Sequence, residues 1–267
     1  MIRLLQSKDQ EKVLSYLYQD LAFNIFLIGD IEAFGMQTSF QRVYGEFDAY
    51  DNLISVFLRY HDYSLYYSHQ RVFNTEYLNI FNQDPFLFIS AKTELIELIY
   101  PHLHNFQRKD MYFCQNNEVN AQKADDSRIQ ILKTVEDAAQ LYDFLITIDE
   151  FNYATTHSKE RFIKEKTTEG RFGLTLFIKE NQEIIATAAT SAETTKNAMV
   201  VAVATSKSHR NQGNCTRIMQ RLLDIYINEK KKSLCLSYDN IDAGKIYHKL
   251  GFVTIGRWTS CSRINHL

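Results

Sequence analysis

Cysteine is scarce in this 267-residue chain: Cys114, Cys215, Cys235 and Cys261 stand far apart. Their spacing matches neither a metal-ligand pattern nor a disulfide framework, so a reducing, cytoplasmic setting is expected. An excess of charge of one sign is also lacking. The formal net charge of −2 gives no reason to expect nucleic acid or a membrane surface as a partner. No apolar stretch approaches the length needed to span a bilayer. The opening residues, Met1 to Asp9, meet charge at once, which argues against a signal peptide. His102 and His104 flank Leu103 without a third ligand at metal-like spacing, and no metal is expected. The apolar fraction of 45% and charged fraction of 23% are ordinary for a globular protein of one large or two ordinary domains. Aromatic residues are plentiful, with 16 tyrosines and 18 phenylalanines, and large aromatic cores are their plainest use.

Periodicity divides the chain near its middle. In the first part, 7–18 and 24–34 have helical spacing, the second ending near Gly35. Residues 41–47, 53–60 and 63–67 read as three successive strands with turn-prone separators. Pro85 opens a strand over 86–90, a short helix follows over 92–100 and stops at Pro101, and 111–115 reads as a strand. Residues 116–127 are polar and aperiodic, the best linker in the chain. The expected division is an α/β domain over 1–120 and a second domain over 126–267. The second opens with a strand at 128–132. Thr134 caps a helix running to Ile148, with Asp137 at the third position. A second helix covers 158–166. Strands at 174–178, 184–191 and 198–205 follow, the first two joined by a turn at Asn181-Gln182. After 215, apolar residues recur at Cys215, Ile218, Met219, Leu222, Leu223 and Tyr226, the spacing of one helical face. A strand at 234–238, a short helix at 242–250 capped by Asp239-Asn240, and a strand at 252–258 complete the pattern.

Residues 200–216 carry the first chemical signal. A buried strand runs into a short polar loop, and a helix starts near Cys215. A helix start has free N–H groups and the positive end of the helix dipole. Gly213 lets the chain approach a phosphate without a side chain in the way, and Arg210 adds positive charge. The pattern points to a phosphate-bearing ligand.

Two motifs narrow this. One is Gln/Arg-x-x-Gly-x-Gly/Ala, present as Arg210-Asn211-Gln212-Gly213-Asn214-Cys215. The other is Asn-x-x-Ala-x-x-x-Tyr-x-x-x-Gly-Phe, present as Asn240, Ala243, Tyr247, Gly251 and Phe252. With their distance apart and the order of elements, they make the segment from about residue 128 to the end resemble the GNAT superfamily of N-acetyltransferases. The resemblance implies a GNAT acyl-CoA N-acyltransferase fold. That is an α/β (α+β) architecture with a mixed, mostly antiparallel sheet, here preceded by a smaller α/β domain. It also implies acetyl-CoA as co-substrate, no metal, and direct attack of an amine on the thioester.

By that resemblance the backbone from Asn211 to Thr216 (through Gln212, Gly213, Asn214 and Cys215) would hold the pyrophosphate, with Arg210 adjacent. Val203 and Thr205 would offer backbone groups to the pantetheine arm, and Asn240 would contact the donor where the strands part. Tyr247 stands where the family often has an acid that protonates the leaving thiolate, although packing would also account for it. Cys215 replaces the usual Gly or Ala. Either a small buried residue or an activated thiol fits that place. His209 could touch phosphate or only solvent, and His248 should face elsewhere. For the base that takes the amine proton, Glu193 is the first candidate and Glu150 the second. The first half, through its segment 24–35, is similar to the degenerate copies in tandem forms of the fold, including glycine N-acyltransferase-like proteins. It has no Arg-x-x-Gly-x-Gly/Ala loop and should not bind CoA in the same way. The expected activity is acetyl transfer to a primary amine of a small molecule or peptide. A non-catalytic CoA-binding sensor or assembly module is the alternative, and a homodimer is left open.

Overall fold

The computed structural model describes residues 1–118, 126–148, 158–168 and 173–264. Two runs of elements follow one another in the same order. The first is β1 (Ile2–Leu4), α1 (Gln10–Leu17), α2 (Ile25–Phe34), β2 (Gln41–Phe47), β3 (Leu53–Tyr60), β4 (Tyr63–Tyr67), α3 (Tyr77–Gln83), β5 (Phe88–Lys92), α4 (Thr93–Ile99) and β6 (Phe106–Asn116). The second is β7 (Ile129–Ile131), α5 (Val135–Leu145), α6 (Lys159–Thr167), β8 (Thr175–Glu180), β9 (Glu183–Ser191), β10 (Asn197–Thr205), α7 (Asn214–Leu223), β11 (Ser233–Tyr238), α8 (Ile241–Lys249) and β12 (Val253–Arg263). In each run the third strand of an antiparallel meander pairs in parallel with the strand beyond the next helix, β4 with β5 and β10 with β11. The chain is thus built from two copies of one α+β plan.

Contacts divide the molecule into two compact units. One comprises Met1–Phe113, Ser237–Asp239 and Thr254–Leu267, and the other Cys114–Leu236 and Asn240–Val253. The break therefore comes earlier than the 116–127 linker, and the end of the chain goes with the first unit rather than with a 126–267 domain. The physical reason is strand pairing. Residues Trp258 to Ser262 of β12 form an antiparallel ladder with Lys92 to Phe88 of β5. The first unit's sheet runs β1-β2-β3-β4-β5-β12-β6, and the second's runs β11-β10-β9-β8-β7.

Local sequence explains most of the elements. In β2 the buried residues are Gln41, Val43, Gly45 and Phe47, one side of a strand. The Asn181-Gln182 turn is left-handed at both residues, with φ of 49° and 69°, the geometry of the two-residue hairpin. Thr134 caps α5 through its hydroxyl, which accepts from the Asp137 N–H at 3.0 Å. Ser158 does the same for α6, accepting from Arg161 N–H at 3.3 Å. Helix α5 buries Ala138, Leu141, Phe144 and Leu145 with Phe177, Ile184 and Ala204 of the sheet, and Phe162 and Ile163 of α6 pack against the same cluster. Helix α7 buries Ile218, Met219, Leu222 and Leu223, and a π turn over Asp224–Glu229 prolongs it.

Sequence and structure differ most at four places. Strand β1 and helix α3 have no counterpart in the expected elements, β6 starts at Phe106 rather than 111, and β12 continues to Arg263 rather than 258. Among the described residues no helix is long and apolar enough to cross a membrane. None of their His, Cys, Asp and Glu side chains form a group of three or more able to hold a metal.

Candidate active site

The geometry of the second unit is set by where β10 stops pairing. Its parallel ladder with β11 covers Asn197 to Met199 against Ser233 to Cys235 and ends there. On the other side, β10 stays paired to β9 as far as Thr205, with a register shift between Val201 and Ala204. Ala202, at that bulge, has a φ of 52°, a strained value for a residue with a side chain. From Val200 to Thr205 the strand therefore presents an edge beside the opening where β10 and β11 part. Val203 and Thr205 both lie on this edge and are half-buried. The Thr205 hydroxyl oxygen is buried without a hydrogen-bond partner, and such an atom calls for a donor or acceptor from outside. The Thr205 carbonyl accepts from Arg210 Nε at 3.3 Å, so the N–H and the hydroxyl are the groups Thr205 has to offer.

The loop that follows is braced by its own side chains. Ser206 N–H donates to the Ile185 carbonyl at 2.8 Å. Gln212 Nε2 donates to the Ser208 carbonyl at 3.3 Å, and Asn214 Nδ2 to the His209 carbonyl at 3.3 Å. Arg217 Nη1 donates to the Gln212 carbonyl at 2.8 Å. Asn211 and Gly213 are left-handed, with φ of 63° and 77°. Alternation of that kind turns successive N–H groups toward one point, a nest for an anion. Gly213 is the N-cap of α7 and has no side chain to cap it, so the first-turn donors of Asn214, Cys215 and Thr216 are left for a ligand. With the Gln212, Asn214 and Arg217 side chains engaged in bracing, the backbone N–H groups are what this stretch can offer a ligand. Cys215 shows no sign of activation: burial pushes its thiol up to about 11, the opposite of a reactive cysteine.

The second motif builds α8. Asn240 Oδ1 accepts from the Asp242 and Ala243 N–H groups at 2.9 and 3.4 Å, so this oxygen is the helix cap. Gly251 follows the end of α8 with a φ of 92°. A Cβ there would stand 3.1 Å from Asn116 Nδ2, which itself donates to the Leu250 carbonyl at 2.9 Å. Only glycine suits both constraints. Between these ends Tyr247 faces inward, 8% exposed. Burial, with a smaller contribution from the nearby Cys215 thiol, raises its phenol well above the ordinary value. Tyr247 is thus within electrostatic reach of Cys215, in the first turn of α7. His248 is exposed and its Nδ1 lies 2.8 Å from the Phe252 carbonyl oxygen, away from Tyr247 as expected.

Glu193 is not brought to this place. It sits in the turn before β10, whereas the loop leaves the far end of that nine-residue strand, roughly 30 Å of strand at about 3.3 Å per residue. Its carboxylate accepts from Tyr226 Oη at 2.8 Å, Lys232 Nζ at 2.8 Å and Lys230 Nζ at 3.0 Å. Burial alone would raise its pKa, but the bonds from Lys232, Tyr226 and Lys230 outweigh burial and hold it below the ordinary value. A carboxylate so held is a poor base. Glu150 lies outside the described residues. The signal that sequence reasoning missed was the lysine pair beyond α7, which looks like a solvated helix end until the fold brings it to Glu193.

The matching stretch of the first unit, between β4 and α3, is built differently. It contains no glycine, and Glu76 is the N-cap of α3. The Phe73 ring packs on Tyr66 and Tyr77 at 5.6 and 6.2 Å, and Tyr66 Oη donates to the Val72 carbonyl at 2.7 Å. A carboxylate at the helix start and aromatic side chains in the loop remove the anion nest.

Known proteins resemble this chain in part of its sequence and in its fold. The model of the acetyltransferase (GNAT) family matches residues 138–252. No curated protein sequence matches the chain. Solved structures are similar over nearly the whole length. A GCN5-related N-acetyltransferase from Sphaerobacter thermophilus has a TM-score of 0.63 at 13% identity, covering 99% of this chain and 96% of that one. A GCN5-related N-acetyltransferase-like protein from Streptococcus suis 89/1591 has a TM-score of 0.60 at 12% identity, covering 96% and 99%. A tandem GNAT protein from the clavulanic acid biosynthesis pathway has a TM-score of 0.60 at 10% identity, covering 100% and 99%. At such identities the likeness is one of fold.

Proposed function

For a chain whose residues 138–252 match the model of the acetyltransferase (GNAT) family, we propose an acetyl-CoA-dependent N-acetyltransferase acting on a primary amine of a small molecule or peptide. The observation that carries this reading is the β10 edge, open beyond Met199 and leading directly into the uncapped start of α7. Acetyl-CoA, when bound, supplies the thioester that an amine attacks directly. The chain's own part is mostly positioning and electrostatics. N–H groups from Asn211 to Thr216, aided by the α7 dipole, would hold the pyrophosphate, with Arg210 alongside. The Val200 to Thr205 edge would pair with the amides of the arm, as a strand pairs with an extended peptide. Thr205 Oγ1 would gain the partner it lacks, and Asn240 would remain the cap that fixes α8.

Tyr247 would donate its O–H toward the leaving sulfur. Its raised pKa keeps the phenol protonated at neutral pH but makes it a weak acid. Stabilising thiolate by a hydrogen bond therefore suits it better than full proton transfer. Glu193 is assigned to holding the turn before β10, and the amine would lose its proton to water or to a residue outside this group.

A panel of primary amines, followed by release of the free thiol, tests the activity. Tyr247→Phe should slow transfer at least about 100-fold while leaving acetyl-CoA affinity nearly intact. Full activity in Tyr247→Phe would remove the donor role. Tight acetyl-CoA binding without thiol release for any amine would favour the non-catalytic CoA-binding module.

A further inference from the structure

We infer that His209 is a positioning residue of the acyl-donor loop and that it works as a pair with Glu180. The inference rests on reading the loop as the acetyl-CoA cradle. His209 closes the single helical turn Lys207–His209 at the start of the loop. Its Nε2 lies 2.7 Å from Glu180 Oε2. A carboxylate only accepts, so Nε2 carries the hydrogen. In the neutral ring Nδ1 is then an acceptor, and two hydroxyls stand ready to donate to it, Ser206 Oγ at 2.7 Å and Ser208 Oγ at 2.9 Å. The carboxylate thus selects the tautomer that the serines require.

Glu180 is well placed to act as an anchor. It is the last residue of β8 and enters the tight Asn181-Gln182 turn, whose two left-handed residues fix the backbone from which the carboxylate extends. From there the chain of contacts runs through the imidazole into the helical turn. It continues from the His209 carbonyl to Asn214 Nδ2, at the first residue of α7. One residue therefore ties these parts together, its ring joining the end of the β8–β9 hairpin to the helical turn and its carbonyl joining that turn to the helix start. Its consequence is geometric: the N–H groups between Asn211 and Thr216 converge only if the turn and the helix start keep their spacing. Both ring nitrogens are occupied by these contacts, so His209 acts through the backbone rather than on the donor.

The test uses the full chain and titration calorimetry with two probes: acetyl-CoA, and S-acetylpantetheine, which lacks the pyrophosphate. His209→Ala should weaken acetyl-CoA by about three- to tenfold, less than a bond to a buried charged group would give because Glu180 is half-exposed. S-acetylpantetheine should bind as it does to the wild type. His209→Gln, which can donate to Glu180 and accept from a serine, should restore most of the loss. Glu180→Ala should match His209→Ala, and the double variant should be no weaker than the weaker single one. An equal loss for both probes, or additive single effects, would overturn the pair. Wild-type protein that binds no acetyl-CoA would overturn the donor site itself. That differs from wild-type binding that His209→Ala leaves intact, which would overturn only the positioning role. If His209→Ala does not fold, Glu180→Ala carries the same comparison from a surface carboxylate.

Discussion

Gly213→Ala separates what the loop costs the fold from what it does for a ligand. Gly213 has a φ of 77°. An L-residue pays a steric penalty of about 1–2 kcal/mol there. Space itself is not short: a Cβ would meet Arg217 Nη1 at 3.5 Å, an ordinary van der Waals contact with the far end of a long side chain. The stability loss should therefore stay near 1–2 kcal/mol, a fall in melting temperature of about 2–4 °C per kcal/mol for a protein of this class. Binding should suffer more. A phosphate oxygen must come to about 2.9 Å from the N–H groups of the first turn, and the added methyl stands at the mouth of that turn. An acetyl-CoA Kd at least about tenfold weaker is expected, equivalent to about 1.4 kcal/mol. Gly213→Asn supplies the control. Asn tolerates the left-handed region, so most of the stability should return while the affinity should not. Calorimetry and thermal melting on the three proteins decide the matter. If Gly213→Ala melts lower yet binds acetyl-CoA like the wild type, the loop is not the anion cradle.

Two further outcomes concern charge. Glu193 is held below its ordinary pKa because its bonds to Lys232, Tyr226 and Lys230 outweigh burial. Its contribution to stability is therefore full above the unfolded value of about 4.3 and is lost as pH falls through the lower folded value. Glu193→Gln should melt lower than the wild type at pH 7, with the gap closing in acid. A gap that does not change with pH would contradict the role assigned to it. Asp30, on α2, has its carboxyl raised to about 7 by burial. The sign is reversed here. The folded state holds a proton the unfolded state has released, so this group weakens the fold as pH rises from about 4 toward 7, by at most about 4 kcal/mol. Asp30→Asn should raise the midpoint of urea unfolding at pH 8 and change little at pH 4. A shift of equal size at both would refute the assignment.

Much of the site could be read directly from the order of residues. Gly213, the helical spacing from Ile218 to Leu223, and the run from Asn240 to Phe252 are local patterns. The structure places each in the expected kind of element. The three-strand meanders 41–67 and 174–205 were legible for the same reason, since alternation and turn chemistry act between near neighbours. Helix α3 was not legible, because seven residues after an aromatic loop carry too little periodicity. The roles of Asn240 and Glu193 were only half legible. Sequence marks Asn240 as a cap or a ligand contact, and geometry commits its oxygen to the cap.

What the sequence by itself determined is the order of elements in the second half and the local make-up of the loop: a glycine where the backbone must turn left-handed, at the start of a helix. Tertiary structure decided the rest. It placed Glu193 at the lysines rather than at the loop, joined His209 to Glu180 across 29 residues, and laid the last strand beside β5, 170 residues upstream at Ser90 and Ser260. Local propensities act over a few residues and say nothing of such partners. Strand pairing and ion pairing are chosen by which edges and charges the packed core leaves facing one another.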